Sequence, residues 1–443
     1  MKEKGILFPI FSLPSKFGMG DFGYEAYKLI DLLNKYGIEY WEILPINAFK
    51  SSPYSPISYY ALNEDYISLD KLVDLNLIKR AEAVVQSNRA IYDDYKQKYF
   101  KEAFDNFKPS DDYKKFVDEN KEITNYAKYM NDITKEGVNF YLFLQFIAYT
   151  QWMELKKYAN SKKVKIIGDM PMYPTFKSVD TKYNKQFFKM EQDTFTYESG
   201  APPDAFNPNG QKWGSPVYDI SNIKKDDYIY LLDRYKYFIK LFDIVRVDHF
   251  IGYDHFYEIP IGKSTLEGDY SDGPGYEFFD KLFQYDNNIA NRIIVEDLGN
   301  LRQETIDLRD KYGFTSQKIL QFSIDLNSAY DKDYYLENVV VYPGNHDCQT
   351  IKGWFHSLDD NGKYNLITFL KNNGCNFEDI NKGIIEYCLR SRARFVIVMP
   401  QDLMDIDDVA RYNIPGKELS SNWTWKLINF EELEEGIKNK FID

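Results

Sequence analysis

Eight short apolar runs punctuate the chain, at 6–11, 40–46, 164–169, 243–248, 293–297, 318–322, 339–342 and 395–399. They are rich in Ile and Val and show no polar alternation, which is how strands buried on both faces of a parallel sheet read. Helical patterns lie between several of them. One spans 24–36, with Leu29, Ile30, Leu32 and Leu33 on one stripe and Gly37 as its stop signal, and others span 139–158 and 226–242. Strands alternating with helices predict βαβ units, and eight of them predict an α/β fold of the TIM type, a closed (β/α)₈ barrel. A doubly wound open sheet is the competing arrangement.

The connections are unequal. About 115 residues separate the second and third runs and about 75 the third and fourth, far more than a loop holds. The expected organisation is one catalytic barrel over 1–443, with a mostly helical insertion at 64–138 and a substrate-loop insertion at 172–225. The latter contains the Pro, Gly and Asn cluster from Ala201 to Gly210.

Charge and cysteine content remove several classes of function. Lys and Arg total 55 against 68 Asp and Glu, a net charge of −13, with no basic run to attract nucleic acid or anionic lipid. The three cysteines, Cys348, Cys375 and Cys388, form no CxxC pair, so neither a disulfide framework nor a zinc cluster is expected and a cytoplasmic location fits. Pro9 and Pro14 interrupt the apolar start, against a signal peptide, and no apolar stretch is long enough to span a bilayer.

Chemistry concentrates at the ends of the runs. Gly18-Met-Gly20-Asp-Phe-Gly23 matches a dinucleotide fingerprint, but the Ser-Leu-Pro-Ser-Lys stretch before it makes the turn too long for a phosphate cradle, and no acid ends the second run. The fourth run places Arg246 and Asp248 on one face at its C-terminal end, where barrel enzymes keep their chemistry. A guanidinium so placed is expected to hold Asp248 ionised, as a nucleophile requires, although a structural Arg–Asp pair reads the same. The fifth run ends in Glu296 and Asp297, and a Glu buried there is expected to carry a raised pKa and serve as general acid, or else to cap the next helix. The seventh ends in His346-Asp347. Two carboxyls across a glycosidic bond are the minimum for glycoside cleavage. No HExxH, GxSxG or Walker loop competes, and a reactive Cys348 thiol is a weak alternative.

Taken in order, Ser12-Leu-Pro-Ser15, Gly18-Met-Gly-Asp-Phe-Gly23, Trp41-Glu-Ile-Leu-Pro45, Ser52-Pro-Tyr54, Gly168-Asp169-Met-Pro171, Pro202-Pro-Asp204, Gly210-Gln211-Lys-Trp213-Gly214, Arg246-Val-Asp248-His249-Phe250, Glu296-Asp-Leu-Gly299, Leu320-Gln-Phe322, His346-Asp347 and Asn422-Trp423 resemble the 4-α-glucanotransferases, or amylomaltases, of the α-amylase clan. The resemblance covers nearly the whole chain and implies a (β/α)₈ barrel with insertions. It implies Asp248 as nucleophile, Glu296 as general acid/base and Asp347 as the third carboxylate. Arg246 would orient Asp248, His249 and His346 would bond the sugar, and Asp169 and Asp325 would bind further hydroxyls. Ser52, Tyr54, Gln211 and Trp213 would line the donor and acceptor sides. Maltooligosaccharides and glucose are the implied partners, the 4-hydroxyl of a sugar the acceptor, and no cofactor or metal is implied.

The sequence departs from the family's usual pattern at Glu42, where Gln is common, and at Asn345, Cys348 and Gln349 around the His-Asp pair. Two rival readings follow: an α-glucan or α-glucoside hydrolase on the same scaffold, and a sugar-binding regulator without turnover, which would require one of the acids to be missing.

Overall fold

In the computed structural model, which describes residues 2–49, 51–84, 87–90, 94–203, 207–299, 301–328, 330–331 and 333–442, eight parallel strands close into a barrel. In chain order they are β1 (Glu3–Leu7), β2 (Tyr40–Glu42), β3 (Lys165–Met170), β4 (Ile244–Val247), β5 (Ile293–Val295), β6 (Thr315–Ile319), β7 (Val339–Tyr342) and β8 (Phe395–Val398). Consecutive strands are neighbours, and β8 closes the ring against β1 with Glu3 opposite Phe395 and Ile6 opposite Val398. The open-sheet alternative falls with that pairing.

Strands β4, β7 and β8 are buried at every residue, as continuous apolar runs require in a sheet covered on both faces. β6 lies three residues before the apolar run at 318–322, and Leu320–Ser323 is already helical. Ser316 and Gln317 interrupt the apolar pattern, yet both are buried, and of their side-chain polar atoms only Gln317 Nε2 lacks a partner. The Ser316 hydroxyl and the Gln317 backbone N–H donate to Asp297, and the Gln317 side-chain oxygen accepts from Arg246.

Around the barrel, the helix Tyr24–Lys35 buries Ala26, Leu29, Ile30, Leu32 and Leu33, the stripe its spacing predicts. Between β2 and β3 the helices Leu69–Asp74, Gln97–Asn106, Asp111–Glu119 and Lys121–Thr134 pack beside the long helix Val138–Ser161. Aromatic contacts such as Phe107 against Phe143, with ring centroids 4.8 Å apart, hold them together. A four-stranded antiparallel sheet lies outside the ring, in the order Asp269–Asp272, His255–Pro260, Tyr197–Ala201, Gln211–Pro216. Half of it comes from the β3–β4 connection. The other half comes from the β4–β5 connection, residues 248–292, where no excursion was expected although it is more than twice as long as the β5–β6 and β6–β7 connections. Asp204, in the Pro202-Pro-Asp204 stretch, lies outside the described residues.

After β8 the chain returns to its beginning. The Ser12 hydroxyl donates to the Trp425 carbonyl at 2.6 Å, and the Leu427 N–H donates to the Ser12 carbonyl at 2.9 Å. Among the described residues no helix is long and apolar enough to cross a membrane.

Candidate active site

The site is built around one buried cation. Arg246 is 1% exposed, and its guanidinium reaches acids from three successive strands. Nη1 donates to Asp169 Oδ2 on β3 at 2.7 Å and to Asp248 Oδ1 just past β4 at 3.3 Å, and Nη2 lies 3.0 Å from Glu296 Oε2 just past β5. The Arg246 Nε–H donates to Gln317 Oε1 on β6 at 2.9 Å. Burial works against the Arg246 charge, but the three acids hold it in place.

Asp248 and Glu296 hydrogen-bond each other, with 22% of each side chain open to solvent. Two carboxyls in contact cannot both ionise, so the pair shares one proton. The two groups shift in opposite directions. Burial and the Glu296 charge hold Asp248 well above the usual carboxylate range. Burial pushes Glu296 up as well, but Arg246, the hydrogen bond from Asp248 and the His249 backbone N–H at 2.9 Å together bring it down to about 2. In the free site Asp248 is thus held up and Glu296 down. Arg246 does not single out Asp248 because it is closer to Asp169 and Glu296.

His249 has φ of +49°, a left-handed turn that aims its backbone N–H at Glu296. Its ring meets the edge of Trp213 at 4.7 Å, and burial brings the imidazole down to about 4, so it is neutral. Trp213 and Gln211 sit on the strand Gln211–Pro216 of the outer sheet, and Gln211 Oε1 accepts from the indole N–H at 3.3 Å. The outer sheet thus touches the end of β4. A Cβ on Gly416 would lie 3.0 Å from Asn207 Nδ2, so the loop leading into that strand also meets the loop that follows β8.

On the opposite side, Tyr54 donates to Asp169 Oδ2 at 2.6 Å and stacks on His346 with centroids 5.0 Å apart; Trp423 completes this aromatic wall. Ser52 accepts the Tyr54 N–H and shapes its turn. His346 Nε2 lies 3.5 Å from Asp347 Oδ2, and burial lowers its pKa. Asp325 is the exception among the expected residues: it lies on the short strand Ile324–Asp325, exposed, with its carboxylate taken up by the Asn327 N–H and the Ser328 hydroxyl.

Several contributors escaped the sequence reading. Asn413 donates to Asp347 Oδ1 at 2.7 Å, and Arg411 Nη2 to the Asp347 carbonyl at 2.6 Å. Both lie on an irregular loop with no periodic signal. Gln317 gave no such signal because the expected apolar run begins one residue later, at 318. The departures at 345–349 also acquire reasons. Asn345 Oδ1 accepts from the Asp347 N–H and the Cys348 thiol, organising the turn. Gln349 Nε2 donates to Asp408 Oδ2 at 2.7 Å, where an acid would repel that carboxylate. Cys348 is buried with its thiol pushed up to about 12, so it remains protonated and is no nucleophile. Among the described residues, no cluster of three or more His, Cys, Asp or Glu could hold a metal ion.

A family model described as 4-alpha-glucanotransferase matches residues 8–137 and 130–430. The chain belongs to that family. The 4-alpha-glucanotransferase of Aquifex aeolicus is 32% identical over 99% of this chain and 98% of its own length, and that of Clostridium butyricum is 34% identical over 94% of each. The structure of the Streptococcus agalactiae amylomaltase in complex with acarbose superposes with a TM-score of 0.92 at 26% identity, covering 100% of both chains. The Corynebacterium glutamicum amylomaltase shares the fold, with a TM-score of 0.83 at 18% identity over 99% of this chain and 74% of its own. The activity is accordingly glucan transfer by a retaining enzyme, and the hydrolase alternative is not favoured.

Proposed function

We propose that this enzyme moves α-1,4-glucan segments from a maltooligosaccharide to the 4-hydroxyl of glucose or another maltooligosaccharide, using Asp248, Glu296 and Asp347. One observation carries the assignment: a single buried guanidinium gathers acids from the ends of β3, β4 and β5. A sugar entering between Asp248 and Glu296 separates them. The proton then belongs on Glu296, next to the glycosidic oxygen, and the charge on Asp248, below the anomeric carbon.

In the first half-reaction Glu296 gives its proton to the leaving 4-oxygen as the bond from the anomeric carbon breaks, and an Asp248 oxygen forms a glycosyl ester. In the second, an acceptor 4-hydroxyl attacks the same carbon, returns its proton to Glu296 and releases Asp248. Two inversions keep the α configuration. Asp169, Asp347, His346 and Tyr54 offer hydrogen bonds to the sugar held between them. Asp347 is presented by Asn413 and Arg411, and the segment 172–225, through Gln211 and Trp213, excludes water while the ester waits for its acceptor. Three buried, unpaired thiols support a cytoplasmic site of action.

The roles separate with a donor that needs no acid help. With α-maltosyl fluoride, Glu296→Gln is expected to form the ester and accumulate a glycosylated protein visible by intact mass, whereas Asp248→Asn forms none. Both variants lose turnover of maltotriose by orders of magnitude. An adduct on Asp248→Asn, or near wild-type disproportionation by either variant, overturns the assignment.

A further inference from the structure

The barrel holds one more carboxyl beneath the acids, and the reaction as written leaves it idle. Glu42 ends β2 with 1% of its surface exposed. Its Oε2 accepts a 2.6 Å hydrogen bond from the Tyr342 hydroxyl at the end of β7. β2 and β7 are separated in the ring by β1 and β8, so the contact runs through the barrel interior. The other charged groups facing Glu42 are Arg246 from β4 and Asp169 from β3.

Arg246 is the only cation of this group, and it already serves Asp169, Asp248, Glu296 and Gln317. No ion pair reaches Glu42 among the described residues. A charge there would add to a cluster in which acids already outnumber cations, at a side chain that bulk solvent barely reaches.

We propose that Glu42 is a positioning residue for glucan transfer that works in its uncharged form. As a neutral carboxyl it accepts the Tyr342 hydroxyl and leaves Arg246 to the acids above. As a carboxylate it competes for the guanidinium, draws it away from Asp248 and Glu296, and stops turnover. This rests on the acid assignment made above. Burial pushes the Glu42 carboxyl up to about 8, with the Tyr342 hydrogen bond opposing part of that rise, so the change of state falls within a range the enzyme can be assayed in.

The test is the alkaline limb of kcat for maltotriose disproportionation, measured from about pH 6 to about pH 10 on the full chain, with folding followed by circular dichroism at each pH. Wild-type kcat is expected to fall about tenfold per pH unit beyond the Glu42 transition, while Glu42→Gln, with the same shape and no titration, holds its activity there. The ratio of kcat at pH 9 to kcat at pH 7 therefore rises roughly tenfold in Glu42→Gln over wild type, with KM little altered. Tyr342→Phe removes a donor that favours the carboxylate and is expected to move the limb to higher pH, which tests the idea even if Glu42→Gln does not fold. Superimposed limbs for wild type and Glu42→Gln, or a limb moved to lower pH in Tyr342→Phe, overturn the role of Glu42. If Asp248→Asn and Glu296→Gln are inactive in the same assay, that failure belongs to Glu42 alone; if they are active, the acid assignment itself falls.

Discussion

Gly168 links the packing of the barrel to the acids at its mouth. A Cβ added there would lie 2.2 Å from two ring carbons of Phe242, and carbons rest no closer than about 3.5 Å, so the ring has to retreat by roughly 1.3 Å. It has nowhere to go. Phe242 is 0% exposed, wedged edge-on against Trp152 at 5.6 Å and tilted against Phe238 at 6.0 Å, both of them buried. Overpacking of this kind costs about 3 kcal/mol. Whatever strain the ring refuses passes into β3, where the next residue is Asp169, the acceptor for both Arg246 and Tyr54. A displacement near 1 Å at such a group lowers turnover by about a hundredfold. Gly168→Ala is therefore expected to melt about 3 °C lower and to lose about two orders of magnitude in kcat on maltotriose. Phe242→Ala alone leaves a cavity worth about 3 to 5 kcal/mol. Combined with Gly168→Ala it removes the clash, so the double variant is expected to be at least ~1 kcal/mol more stable than the two single changes added together. Scanning calorimetry and steady-state assays on the four proteins decide. A Gly168→Ala protein with wild-type melting and activity, or strictly additive losses, refutes the reasoning.

Asn413→Ala takes a charge-assisted hydrogen bond worth about 1.5 to 3 kcal/mol from the Asp347 carboxylate, so kcat should fall about 10- to 100-fold with KM changing less; an unchanged kcat removes Asn413 from the positioning of Asp347. Trp213→Ala withdraws the ring that meets His249, and chromatography of maltotriose digests should show glucose and maltose gaining on the longer products; an unaltered product ratio ends the case for Trp213 as the water barrier. Stability should also depend on pH through buried acids away from the site. Burial pushes Glu64, Asp180 and Asp402 up to about 7 each, so above the ordinary carboxylate range the folded chain keeps protons that the unfolded chain has lost. Their contribution therefore falls as pH rises from about 4.5 and levels off near the folded values, a loss of several kcal/mol in all. Urea titrations should show less of this decline in Asp402→Asn, and a slope of equal size in that variant removes Asp402 from the account.

The barrel was legible because burial on both faces leaves unbroken Val and Ile runs, and the acids were legible because each stands at the point where such a run stops. β6 was misplaced because Ser316 and Gln317 look like a surface pattern until their partners Asp297 and Arg246 are known. The second half of the outer sheet was missed despite the long β4–β5 connection because its strands, His255–Pro260 and Asp269–Asp272, are short and partly polar, and Asn413 sits in a loop where no period marks it. The opposite direction of the Asp248 and Glu296 shifts could not be read from either residue's neighbours in sequence. It depends on Arg246 and the His249 amide reaching Glu296 across the gap between β4 and β5, and that proximity exists only in the folded ring.

The pairing of β8 with β1 also bears on how the enzyme is made. On a ribosome β1 emerges before the other strands, but the partner for its free edge is nearly 400 residues away and follows after tens of seconds at ordinary elongation rates. Through that interval the nascent chain is a growing parallel sheet with bare edges, the kind of surface that invites pairing with a stranger. Asp347 exists only late in that interval and the Asn413 that holds it only after β8, so catalytic competence arrives no earlier than ring closure, and a truncated translation product is an aggregation hazard with no compensating activity.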